Sequence, residues 1–106
     1  MTTAIRPSRG FPASANAGAA TATMADPGDY ARWFITAIQA AYDQADVGTV
    51  TLTTGLDTLV FQINAVNPTL ELTFASPIEC KVSTAVTAVL SAGTGVGKVN
   101  VFGYQA

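Results

Sequence analysis

The sequence contains no histidine and only one cysteine among its 106 residues. Without histidine the commonest general base is missing, as are the Ser–His and Cys–His pairs of nucleophilic enzymes and most zinc sites. A single cysteine also excludes an intramolecular disulfide. We therefore expect a protein that is not an enzyme and that needs no metal or other cofactor.

Charge is scarce as well. Charged residues make up 11% of the chain and the net charge is -2, whereas an ordinary soluble domain has about 25% charged residues. Five basic residues cannot neutralise a run of phosphates, so nucleic acid is not an expected partner. The sequence also lacks the run of about 20 apolar residues that spans a membrane and the apolar segment of a secretory signal. We expect no membrane association and assembly in a cytoplasm.

What the sequence has in quantity is apolar residues, at 49%. Because few ions are available, Thr, Ser, Asn, Gln and Ala must cover much of the surface. Such a surface leaves larger apolar patches than a monomer usually exposes, and a small net charge gives weak protection against association. The composition therefore predicts an oligomer whose surface is partly covered by partner chains.

Residues 1–25 contain two prolines, two glycines and many small residues. Such a segment cannot bury enough apolar surface to offset the entropy of ordering it. We predict an extended N-terminal arm over residues 1–25, followed by a single domain over residues 26–106. Partner contacts are assigned to apolar anchors and to a basic pair that could reach an acidic patch: Ile5, Phe11, Arg6 and Arg9. The alternative is that the arm docks on its own domain.

Residues 26–46 have the pattern of an amphipathic helix. Asp26 is suited to an N-cap and Pro27 to the first helical position. Tyr30, Phe34 and Ile38 then recur at four-residue spacing. The sequence predicts a helix that ends before Gly48, with Phe34 and Ile38 facing a sheet.

After Gly48 the apolar period changes from 3.6 to two, which is typical of strands. Short connections favour antiparallel neighbours, so the fold class predicted is α+β: an arm, one helix, then about five antiparallel strands as a meander or small sandwich. The longest run could bend and serve two sheets. The predicted strands cover residues 49–53, 59–64, 69–74, 78–90 and 96–104.

Three features of the sequence could support chemistry. The glycine-rich residues 91–98 resemble a phosphate loop, but Val99 stands where Ser or Thr is needed and a strand follows, so a hairpin loop is predicted. Cys80 alternates with apolar residues and is expected to be buried. Glu71 and Glu79 are expected to form a solvated acidic patch, if a turn at Ser76 and Pro77 brings them together.

A charge-poor, Ala- and Thr-rich domain with an apolar-anchored arm and no catalytic residues resembles the small virion proteins of tailed bacteriophages. These are capsid decoration or cement proteins and the base subunits of head or tail fibres. The resemblance covers length, composition and layout, and no motif carries it. It implies a homo-oligomer, with a trimer favoured, bound to other virion proteins in the virion, where it stabilises the capsid or seats a fibre.

Two other functions stay open. One is a carbohydrate- or surface-binding module, whose aromatic side chains would form a recognition platform: Tyr30, Trp33, Tyr42, Phe102 and Tyr104. The other is a small cytoplasmic regulatory protein that masks a partner.

Overall fold

The computed structural model describes residues 8–106, and that part of the chain consists of eight β-strands and no helix. None of the described residues forms a helix long and apolar enough to cross a membrane. The strands are β1 (Arg9–Asn16), β2 (Ala20–Met24), β3 (Trp33–Tyr42), β4 (Gly48–Thr53), β5 (Thr58–Ile63), β6 (Thr69–Glu79), β7 (Val86–Leu90) and β8 (Val96–Gln105).

The strands form two four-stranded sheets. Sheet A has the order β1-β8-β3-β6, and sheet B has the order β2-β7-β4-β5. All pairings are antiparallel. Only β4 and β5 are consecutive strands of one sheet, so every other connection crosses from one sheet to the other. Eight strands with this order form a jelly-roll sandwich.

The core lies between the two sheets and is almost entirely apolar. Sheet A contributes Ile35, Ile38 and Val101, which have no exposed surface. Sheet B contributes Leu52 and Leu90, which are equally buried. This alternation of buried and exposed positions is what a sheet with one covered face requires.

The predicted helix over residues 26–46 is wrong, since residues 33–42 form the central strand β3. Trp33 and Ile35 face the core, the register then shifts between Ile35 and Ala37, and Ile38 is the next buried residue. A β-bulge inserts one residue and so changes the apolar spacing from two to three at that point. This irregular spacing looks helical in the sequence. The fold class is therefore all-β and not α+β.

The segment before β3 explains why the capping pattern led to the wrong prediction of a helix start. The Asp26 carboxylate accepts a hydrogen bond from the Gly28 N–H at 2.9 Å, which closes a local turn. Gly28 and Tyr30 have φ angles of 100° and 62°, outside the right-handed helical region. Asp and Pro are as well suited to such a turn as to a helix start.

The strands predicted after Gly48 correspond to β4 to β8. They belong to a sandwich, which is one of the two arrangements predicted, and not to a meander. β5 and β6 belong to different sheets, as do β6 and β7. The run over residues 78–90 is divided between β6, which ends at Glu79, and β7, which begins at Val86, so it serves two sheets. Ser76 and Pro77 lie within β6 and form no turn that would bring Glu71 and Glu79 together.

The described part of the predicted arm belongs to the sandwich. β1 pairs with β8 along its whole length, and β2 pairs with β7. Ala22 and Met24 of β2 are buried in the core. Residues 1–7 of the predicted arm lie outside the described residues.

The bulge separates two positions that a helix would place on one face. Ile38 is fully buried, whereas Phe34 is half-buried and stacks on Tyr104, with ring centroids 5.3 Å apart. We predict that Ile38→Ala lowers the free energy of unfolding by about 2–5 kcal/mol. Phe34→Ala should lower it by about 1 kcal/mol, the scale of one aromatic pair.

Urea unfolding of the two variants and the parent protein measures both changes. On a helix, positions four residues apart share a face, and the two variants would lose similar stability. An equal and large loss for both would contradict the bulged strand.

Candidate interaction surface

The outer face of sheet B is built from neutral side chains. None of its four strands contains an Asp, Glu, Lys or Arg. Alternation along each strand directs every second side chain away from the core. The outward residues are Thr21, Thr23, Thr49, Thr51, Thr53, Thr58, Val60, Gln62, Thr87 and Val89.

Strand pairing aligns these residues in rows across the sheet. One row is made entirely of threonine: Thr23, Thr87, Thr53 and Thr58. The next row is Thr21, Val89, Thr51 and Val60. Because none of the four strands that form this face carries a charged residue, a partner can cover them without desolvating a charge. Charged residues are likewise depleted from the buried centre of protein interfaces.

Charged side chains of the described chain lie in sheet A or in connections. Within the strands they are Arg9, Glu71, Glu79 and Lys98, all in sheet A. Glu79 forms an ion pair with Arg32 in the connection before β3. The two faces of the sandwich therefore differ sharply in charge, which the sequence alone did not show.

The outer face of sheet A carries a shallow cleft of about 500 Å³. Its polar lining includes Gln39, Glu71, Lys98 and Asn100. The Asn100 Oδ1 atom is buried and has no hydrogen-bond partner among residues 8–106. The cleft could hold a small polar group, but no group of three or more His, Cys, Asp or Glu residues in the described chain could hold a metal ion.

The glycine-rich segment connects β7 to β8 across the two sheets, so the predicted hairpin loop is wrong in its topology. The Thr94 N–H donates to Asp46 Oδ2 at 3.1 Å, and the Val96 N–H donates to Asp43 Oδ1 at 2.8 Å. A Cβ atom at Gly93 would lie 2.8 Å from Asp46 Oδ2. The glycine-rich sequence makes room for carboxylates, which would repel a phosphate.

The partner-binding residues predicted in the arm fall in different places. Ile5 and Arg6 lie outside the described residues. Arg9 is exposed, with its Cζ atom 5.5 Å from the centre of the Phe11 ring. Phe11 is half-buried and packs edge-on against Trp33, with ring centroids 5.2 Å apart. The structure thus places the Phe11 ring against its own domain, and partner contacts by these residues stay a prediction.

The five aromatic residues suggested as a recognition platform do not form one. Trp33 and Tyr42 are buried in the core, with 3% and 4% of their surface exposed. The Trp33 indole N–H donates to the Ala25 carbonyl at 2.8 Å, and the Tyr42 hydroxyl donates to the Ser91 carbonyl at 2.7 Å. Tyr30 lies in the β2–β3 connection and is 92% exposed.

Comparison with known proteins identifies structures that share the fold, but it identifies no family. No family model and no curated protein matches the sequence. The major capsid protein P2 of bacteriophage PM2 aligns over 93% of this chain and 43% of its own, with a TM-score of 0.54 and 14% identity. Solved structures similar to this chain include viral capsid proteins. At this identity the likeness shows a shared fold.

Two further structures are similar at lower scores. The particle protein of extra small virus from the prawn Macrobrachium rosenbergii aligns over 99% of this chain and 81% of its own, with a TM-score of 0.44 and 12% identity. The Drosophila NLP core aligns over 93% of this chain and 97% of its own, with a TM-score of 0.43 and 13% identity.

Cys80 is fully buried, as the sequence predicts. Burial, reinforced by the negative charge of Glu79, raises the pKa of its thiol from 9.0 to about 11. The thiol therefore stays protonated near neutral pH, and only the thiolate is a strong nucleophile. Cys80 packs as a small apolar residue and is not placed to react.

The raised pKa predicts a dependence of stability on pH. The unfolded chain loses the thiol proton near pH 9, but the folded chain keeps it to about pH 11. The contribution of this group is thus fully present below pH 9 and is lost as the pH rises through about 11, with a slope of up to about 1.4 kcal/mol per pH unit.

Urea unfolding of the parent and of Cys80→Ala at pH 8 and at higher pH measures this contribution. The alanine variant should lose less stability than the parent as the pH rises from 9 to 11, because other titrating groups are common to both. Parallel pH curves for the two proteins would contradict the account of the buried thiol.

Proposed function

We propose that this protein is a non-catalytic structural subunit of a viral particle, and that it assembles with copies of itself. The observation that carries the proposal is the charge-free sheet B, whose four strands present ten neutral outward side chains. The jelly-roll order of the strands and the fold shared with a phage capsid protein support it.

The neutral face lowers the free-energy cost of association, because no charge on its strands has to be desolvated. Burying a charged side chain costs several kcal/mol unless a partner compensates it. Threonine presents a methyl group and a hydroxyl group, and the hydroxyl can donate and accept a hydrogen bond with a facing chain. A face built this way can pack against another protein without the penalty that ions impose.

The finer parts of the proposal follow from the resemblance to small virion proteins. The particle would be that of a tailed phage, and the chain would bind other virion proteins after assembly in the host cytoplasm. A trimer is favoured, and its role would be to stabilise the capsid or seat a fibre. A role without catalysis agrees with a chain that contains no histidine and whose only cysteine is buried.

One pair of variants tests the neutral face. Thr51 lies in the outer face of β4, inside sheet B, and Gln39 lies in the outer face of β3, inside sheet A. We predict that Thr51→Lys greatly reduces assembly because it places an ion at the centre of the neutral face. Gln39→Lys adds the same charge beside Glu71, its partner across β3 and β6, and should assemble like the parent.

The measurement is light scattering with electron microscopy of the purified proteins, both alone and after co-expression with the other structural proteins of the particle. Melting curves check that both variants remain folded. A parent chain that is monomeric alone and absent from particles would refute the proposed function. Equal assembly of the two lysine variants would refute the role of sheet B.

A further inference from the structure

The two sheets have four edge strands, and those of sheet A are protected against further pairing. β1 contains Arg9 and Pro12, and β6 contains Glu71 and Pro77. Proline removes a backbone donor, and an edge charge must be desolvated when another strand pairs with it. These two edges are therefore poor templates for a strand from another molecule.

β5, at one edge of sheet B, has neither form of protection. Its six residues, Thr58–Ile63, include no proline and no charged residue. Within residues 8–106 it pairs with β4 alone. Val60 is 56% exposed and is the only large apolar residue so exposed within a strand of that range. An uncharged, apolar edge of this length favours pairing with another strand.

The other edge of sheet B, β2, is also uncharged but offers less to a partner. Its inward residues Ala22 and Met24 are already buried, and β2 contacts β1 where the two sheets meet. On β5 the inward residues Leu59 and Phe61 are only partly buried, although the Phe61 ring lies 6.3 Å from that of Phe74 on β6. A strand added beside β5 would cover apolar surface that a strand beside β2 would not.

We propose that β5 pairs antiparallel with β5 of a second copy, about a two-fold axis that is perpendicular to the sheet and passes midway between the two Val60 residues. This inference rests on the proposed function, since a particle subunit must contact its own copies. It names the strand and the symmetry of one such contact. The two sheets B would join into one continuous eight-stranded sheet.

The register follows from the alternation of side chains. Residues directly opposite each other on paired strands must point to the same face, so with an axis perpendicular to the sheet one residue must lie opposite its own copy. With Val60 opposite the partner's Val60, Leu59 lies opposite the partner's Phe61, and Thr58 lies opposite the partner's Gln62. Apolar inward residues then meet apolar ones, polar outward residues meet polar ones, and no ion is buried.

The first test is sedimentation velocity of the full chain from about 1 to 200 µM, a range that includes small, weak interfaces. Val60→Lys should be monomeric at concentrations where the parent is dimeric. The protein concentration at which half of the chains are dimeric should be at least tenfold higher for this variant than for the parent. The matched control is Val66→Lys, which removes an equally apolar residue that is 97% exposed in the β5–β6 connection. It should dimerise like the parent, and all three proteins should melt alike at concentrations where the parent is monomeric.

The second test is cross-linking under mild oxidation. Residues opposite each other in an antiparallel pair have Cα atoms about 4.5–5.5 Å apart, within the range that a disulfide spans. Val60→Cys should therefore form a covalent dimer. Thr21→Cys is the control, because Thr21 lies at the β2 end of the same row as Val60. The buried thiol of Cys80 should not react in either variant.

The outcomes separate this inference from the proposed function. Any of three results would overturn pairing through β5. The first is that Val60→Lys dimerises like the parent, and the second is that the parent stays monomeric at about 200 µM. The third is that Thr21→Cys cross-links as readily as Val60→Cys. If particles still incorporate a chain that is monomeric in solution, the proposed function stands without this contact. If β5 dimers form but no particle contains the chain, the contact stands and the proposed function fails.

Discussion

The sandwich depends on the ability of β3 to turn nearly all of its large apolar side chains to one side. β3 lies between β8 and β6 in sheet A, so both of its edges are paired. Without the register shift between Ile35 and Ala37, either Ile35 or Ile38 would face solvent. With it, both are fully buried against sheet B. Each end of the strand is also tied by a side-chain hydrogen bond, from Trp33 to the Ala25 carbonyl and from Tyr42 to the Ser91 carbonyl.

Charge is distributed unevenly around that core. The core takes up the apolar residues of both sheets, and the charged residues are left to sheet A and the connections. Two of the carboxylates, Asp43 and Asp46, hold the β7–β8 connection through backbone N–H groups. Sheet B keeps a neutral outer face and one apolar edge. A chain with so little charge can remain folded in this way and still offer a large face to partners.

The sequence predicted the strands whose alternation is unbroken, such as β4 and β5, and the burial of Cys80. It failed at β3 because a bulge and a strand together produce the apolar spacing of a helix. The sequence predicts an arm in place of β1 and β2 because their inward residues are mostly alanine. Alanine gives a weak apolar signal even where it fills a core. The sequence predicts that the run over residues 78–90 can serve two sheets. It does not identify the other crossings, because connections of a few residues suit a hairpin equally well. The sequence shows which strands lack charged residues, but only the strand pairing shows that these strands form one sheet.

Hydrogen exchange of the β5 amides tests the central claim most directly, namely that the neutral sheet B is where copies of this chain meet. The exchange of each amide in the assembled and the dissociated protein would be compared by NMR or mass spectrometry. We expect the amides of Thr58–Ile63 that point away from β4 to exchange much more slowly after assembly, while the amides of β1 and β6 change little, because only β5 gains a paired strand. Unchanged exchange along β5, together with slowing at the edges of sheet A, would contradict the account.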